Sequence, residues 1–176
     1  MNEPPSPTVG TATVEVVAAD EQHVVAIDVD RWAALARSVL AAEGMAGELT
    51  LTFVDETEIA TLNKDHLGGS GPTDVLSFPL DADDTAAVTT GLVGVPVLLG
   101  DVVVCPAVAA AQAAAHAGTL DDEIALLVIH GVLHVLGHDH AEPGETARMR
   151  DREMHHLTTH HWHGPAPASF RQEHST

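Results

Sequence analysis

The segment DDEIALLVIHGVLHVL, residues 121–136, constrains the fold more than any other part of the chain. It is strongly apolar, reads as one helix, and a helix of that kind needs a core around it. Apolar residues make up 45% of the sequence, enough to build one. Two polar side chains interrupt the run, His130 and His134. At a spacing of four they fall on one helix face, one turn apart. Gly137 follows and is suited to the left-handed conformation that ends a helix. The chain can then double back and bring His140 over the same face.

Three imidazoles converging on one point form the ligand set of a catalytic zinc site, with the fourth position left to water. Packing accounts for a lone histidine on an apolar helix. It does not account for a pair at this spacing, a stopping glycine and a third histidine, because buried unpaired imidazoles are costly. The all-nitrogen set favours one Zn2+ ion, and nickel, cobalt and copper stay open on ligand chemistry alone. The pattern H-x-x-x-H-x-x-G-x-x-H has the ligand spacing of the metzincin peptidases. The residue after the first histidine decides the chemistry, because H-E-x-x-H peptidases carry their general base there. Here it is Gly131.

The rest of the composition bounds the setting. A chain of 176 residues makes one domain with room for a short tail. Acidic residues number 26 against 7 basic ones, a formal charge of -19, which argues against a general nucleic-acid binder. Thirteen histidines depart from that acidic trend. The single cysteine, Cys105, excludes an intramolecular disulfide. MNEPPSPTVG lacks the basic and apolar regions of a signal peptide. The most apolar stretch, 86–115, is interrupted by Pro96, Asp101 and Pro106 and is no membrane span. A cytoplasmic protein is the simplest expectation.

Along the chain, residues 1–12 read as a flexible, proline-rich start and 14–18 as a strand. A helix follows with Asp30 as N-cap and Gly44 as its stop. Residues 48–54 alternate as a half-buried strand. Asp55 caps a second helix, with Glu58 in a capping-box-like position, ending near Gly68. GGSGP (68–72) is a loop, 73–79 an extended segment, 81–94 a loop, and 99–105 a buried strand. Pro106 opens an alanine-rich helix, and Thr119 caps the histidine-bearing one. A last helix spans roughly 144–159, and 160–176 read as a loose, histidine-bearing tail after a domain of 13–159. No clean βαβ series appears. The expected class is α+β, a single compact domain with a small mixed β-sheet packed by helices and a zincin-like metal site on a helix and the following turn.

HGVLHVLGHDH resembles the signature of the YbeY-type endoribonucleases, a family of rRNA maturation factors. LN (62–63), PTDVLSFP (72–79), LGDVVVC (99–105) and EIALLVIHG (123–131) extend the resemblance, in order, over most of residues 48–157. The resemblance implies a single-domain fold with zinc on His130, His134 and His140. It implies a single-strand-specific, metal-dependent RNA hydrolase acting in 16S rRNA 3′-end maturation and ribosome quality control. Its partners would be single-stranded RNA and the ribosome or small-subunit proteins, with neither membrane nor DNA. One departure stands out: the family's arginine before PTDVLSFP is replaced by Leu67, leaving Lys64 or His66 to take its place.

Candidate catalytic residues are His130, Asp139 and Asp74. A carboxylate should orient a ligand imidazole. Asp139 offers one, or else caps the turn. Glu123, seven residues before His130, offers another, or else favours the helix N-terminus. Thr73, Asp74 and Ser77 line a cleft or shape a turn. Asp101 is a buried partner or an edge residue. Cys105 is a core thiol. Arg148, Arg150 and Arg152 contact RNA phosphates, or form a solvated face paired with Glu145 and Glu153. The histidines from His155 to His163 belong to the tail and bind metal adventitiously at most. Two other functions compete with the nuclease: a zincin-like peptidase or amide hydrolase, opposed by Gly131, and a ribosome-assembly binding factor with little catalysis, opposed by three-histidine ligation.

Overall fold

The computed structural model describes residues 13–80, 97–138 and 142–172. Two expectations fall outside these: the flexible start at 1–12 and the loop at 81–94. Four strands form one mixed sheet: β1 (Val14–Asp20), β2 (Gly47–Phe53), β3 (Val75–Pro79) and β4 (Leu98–Val104), in the order β1-β2-β4-β3. β1 and β4 both run parallel to β2, and β3 is antiparallel to β4. Among the described residues five α-helices accompany them: α1 (Val29–Ala42), α2 (Glu56–Leu67), α3 (Pro106–Gln112), α4 (Leu120–Val135) and α5 (Pro143–His156). The expected α+β class with a mixed sheet is what forms. One β-α-β unit that the sequence did not announce is present, because α1 connects the parallel pair β1 and β2.

Local chemistry accounts for the boundaries. The helix expected from Asp30 begins earlier, because Asp28 is the cap and its side chain accepts from Arg31 N–H at 3.1 Å. Asp55 accepts from Glu58 N–H at 2.8 Å and starts α2. Thr119 accepts from Asp122 N–H at 3.1 Å and starts α4, a cap worth about 1 kcal/mol. Gly137, at φ +94°, lets the chain leave α4, and His138 N–H returns to Leu133 O at 3.0 Å.

α4 lies against β3, β4 and α1. In β2, Leu49, Leu51 and Phe53 point into this core and the threonines between them are half-buried, the period of two that a strand imposes. Residues 124–129 of α4 are all at most 1% exposed, as are Val132 and Leu133. A helix apolar on all sides has been buried on all sides. Truncating any of Leu126, Leu127 or Leu133 to alanine would cost about 2–5 kcal/mol. The two imidazoles at its C-terminal end therefore ride on the most firmly packed element of the molecule. A second cluster, with Ile59, Leu76, Val103 and Cys105, packs α2 on the opposite side of β3 and β4 and makes Cys105 a core thiol.

After α5 the chain makes one π-helical turn (Leu157–His161) and folds back. Trp162 and Phe170 pack against the main core, with ring centroids 4.7 Å apart. The sequence reads residues 160–176 as a loose tail, and through residue 172 the structure differs. His161 in this segment and His156 at the end of α5 find partners far away in sequence, which no local pattern signals. His161 Nε2 meets Asp122 Oδ1 at 2.7 Å, and His156 Nε2 meets Glu43 Oε1 at 2.7 Å. No helix among the described residues is long and apolar enough to cross a membrane.

Candidate functional site

His130 and His134 occupy adjacent turns of α4, with ring centroids 4.5 Å apart. His130 is mostly buried, and its Nδ1 lies 2.5 Å from Glu153 Oε1 on α5. A carboxylate oxygen only accepts, so Nδ1 is the donor in this contact and Nε2 is the ring nitrogen turned away from Glu153. An acid behind the ring in this way sets the orientation of a ligand imidazole. Glu153 itself is 1% exposed, and its other oxygen accepts from Gln172 Nε2 at 2.7 Å. The donor set and this arrangement fit a zinc ion held through His130 and His134. His140 and Asp139, the other residues expected here, lie outside the described residues.

The orienting carboxylate is thus not Glu123, one of the two expected from sequence. Glu123 is fully buried, but its oxygens accept from Gln112 Nε2 at 2.8 Å and from Ala117 N–H at 3.1 Å. Glu153 was readable in one respect. Met149, Glu153 and Leu157 share the buried stripe of α5 and its continuation at a spacing of four, and an acid in an apolar stripe demands a partner. The sequence could not say which.

Both carboxylate oxygens of Asp74 are hydrogen-bonded within the protein. Its Oδ1 accepts from Val75 N–H at 2.8 Å and its Oδ2 from Gln112 Nε2 at 2.7 Å. The same Gln112 amide reaches Glu123, so one side chain ties the start of β3 to the start of α4. The turn reading of Asp74 accounts for these contacts. Thr73 Oγ1 donates to Asp74 Oδ1 at 3.4 Å. Ser77 donates to Gly131 O at 3.0 Å and joins β3 to the residue after His130. Asp101 is neither a buried partner nor on an edge strand. It is exposed on β4, which lies between β2 and β3.

Gly131 faces the sheet. A Cβ there would stand 2.5 Å from Val102 Cγ1, so the position where an H-E-x-x-H peptidase carries its base has no room for a side chain. Of the arginine cluster, Arg152 pairs with Glu43 at 3.2 Å, while Glu145 accepts from Glu142 N–H and Glu153 serves His130. The expected pairing of the arginines with Glu145 and Glu153 is therefore not what forms. Glu43, at the end of α1, also has His156 at 2.7 Å and His138 at 3.7 Å. Leu67, at the departed arginine position, is 62% exposed, and Lys64 lines an open groove with Glu56, Thr57 and the 68–72 loop.

The family model described as Endoribonuclease YbeY matches residues 17–161. A protein named endoribonuclease YbeY from Salinispora tropica is 44% identical over 128 residues, 70% of this chain and 82% of the relative. Its namesake from Thermobifida fusca is 47% identical over 124 residues, 69% and 79% of the two chains. The solution structure of TM1509 from Thermotoga maritima is similar in fold, with a TM-score of 0.55 at 24% identity, covering 83% of this chain and 87% of that one.

Proposed function

The chain belongs to the endoribonuclease YbeY family, and from that premise we propose that it is a single-strand-specific, metal-dependent endoribonuclease. It acts in the cytoplasm in 16S rRNA 3′-end maturation and ribosome quality control. One observation carries the catalytic part of this reading: His130 and His134 stand one turn apart on the most buried helix, with Glu153 on His130 Nδ1. A pair of partly buried imidazoles one turn apart, one of them held by a buried acid, is the arrangement of a ligand site.

His130, His134 and His140 would hold one zinc ion. When bound, zinc supplies Lewis acidity toward a phosphoryl oxygen and activates water near neutral pH. The protein's own residues do the positioning. Glu153 holds the His130 ring through Nδ1, Ser77 ties the backbone of Gly131 to β3, and Gly137 lets the chain leave α4. The closed space at Gly131 counts against the peptidase reading. The charge of -19 bears on the substrate. With few cations to grip phosphates, the protein would reach its RNA through a few local contacts or through basic ribosomal proteins that supply the charge.

The test uses the full chain and His130→Ala, assayed on single-stranded RNA, duplex RNA and a peptide panel, with zinc and with chelator. Cleavage of single-stranded RNA that needs metal and is lost in His130→Ala is the expected result. Peptide cleavage would move the assignment to a hydrolase of amides. Ribosome binding without cleavage of either would make this an assembly factor.

A further inference from the structure

Residues 162–172 fold back from the first turn of α4 to α5. Trp162 Nε1 donates to Asp122 Oδ1 at 2.8 Å, which pins the start of this segment to the first turn of α4. Phe170 packs on Trp162 and on the core. Arg171 N–H donates to His116 O at 3.0 Å. Ser169 lies against Gly118, where a Cβ would stand 2.8 Å from the serine Oγ. These contacts deliver Gln172 to α5. Its Nε2 donates to Arg150 O at 2.8 Å and to Glu153 Oε2 at 2.7 Å. Glu153 in turn holds His130 through its other oxygen. The result is a continuous relay, Gln172 to Glu153 to His130, in which the last described residue of the chain braces the carboxylate behind a metal-ligand imidazole.

We propose that Gln172 is a positioning residue of the metal site, and that the C-terminal segment is a strap that sets the orientation of His130 through Glu153. The inference rests on the metal reading above. Its physical basis is that a buried carboxylate with one oxygen on an imidazole has a second oxygen to satisfy. Gln172 donates to that oxygen and so limits rotation of the carboxyl group. Partners behind a ligand histidine typically set about 10–100-fold of metal affinity. A group one bond further back should set less, about 3–10-fold by the same reasoning.

The experiment measures zinc affinity of the full chain by competition with a chromophoric chelator, and records the visible absorption of the Co2+-loaded protein. Four proteins are compared: wild type, Gln172→Met, Glu153→Gln and the double variant, with His130→Ala as reference for the site. Gln172→Met keeps length and packing and removes the donor. The expected result is about 3–10-fold weaker zinc binding and an altered Co2+ spectrum for Gln172→Met, with the metal-free fold, read by circular dichroism, retained. In the Glu153→Gln background, Gln172→Met should change neither, because the relay is already cut. Wild-type affinity in Gln172→Met, or a loss that simply adds to that of Glu153→Gln, overturns the strap. Wild-type zinc binding that is indifferent to His130→Ala fails differently: it removes the metal site itself and the inference with it.

Discussion

The carboxylate of Glu43, at the end of α1, meets Nε2 of His156, 113 residues further along, at 2.7 Å. His156 is 1% exposed, and Glu43 also carries Arg152 at 3.2 Å. This single acid joins α1 to α5, the helix that supplies Glu153. Glu43→Ala would strand a buried imidazole donor and free the arginine. The expected cost is about 1–3 kcal/mol, seen as a lower urea midpoint at unchanged slope. A midpoint equal to wild type would show the pair to be idle.

Glu153→Gln should leave the fold in place while weakening zinc binding about 10–100-fold. The amide keeps the size of the side chain but replaces an anion with a neutral group behind the His130 ring. Equilibrium dialysis against buffered zinc measures it. Unaltered affinity would mean that the 2.5 Å contact with His130 does not support a ligand.

Gly131→Ala places a methyl group 2.5 Å from Val102 Cγ1. Overpacking of this kind costs about 1–3 kcal/mol, and calorimetry should show a depressed Tm. Gly131→Glu should be worse folded and gain no peptidase activity. A stable, peptide-cleaving Gly131→Glu would contradict the close packing of α4 on β4.

Burial holds the His156 imidazole below its ordinary pKa, against the opposing pull of Glu43. Burial does the same to His160, assisted by the neighbouring His156. Both groups bind protons less readily folded than unfolded. Above the unfolded value of about 6.5 both states are neutral and no penalty exists. As pH falls through that value the unfolded chain is protonated first, so stability declines. The difference in stability between pH 7.5 and pH 5.5, about one unit either side of that value, should shrink in a His156→Gln/His160→Gln variant. Identical differences in the two proteins would count against the assignment.

Among the 7 lysines and arginines, Arg31 is paired with Asp121 at 2.7 Å and Arg152 with Glu43. Few cations remain to displace counterions from RNA. Binding of the isolated chain to naked RNA should be weak, with a shallow dependence of log K on log salt concentration. Fluorescence anisotropy across a salt series tests this, and a steep slope with tight binding would refute it.

Much of the site was legible because it is local. The spacing of His130 and His134, the stop at Gly137 and the glycine at position 131 are separated by a few residues, and helix geometry alone relates them. The caps at Asp55 and Thr119 were legible for the same reason. The cap at Asp28 was misplaced to Asp30, since both are acids ahead of the same apolar stripe and only the hydrogen bond to Arg31 distinguishes them. Asp101 was misjudged because strand order, which puts β4 inside the sheet, is not a local property.

The amino-acid sequence by itself determined a buried, histidine-bearing helix and an α+β architecture with a mixed sheet, and the resemblance of its motif blocks pointed to the family. The helix and the architecture follow from period, spacing and turn chemistry, which act over one or two turns of chain. Only the tertiary structure decided which acid stands behind His130, why position 131 must be glycine, and that the C-terminal histidines and Gln172 are part of the folded domain. Those outcomes depend on contacts such as Gln172 with Glu153 and Glu153 with His130, 19 and 23 residues apart. Several acids could have satisfied the same imidazole, and the packing of α5 against α4 selects one of them.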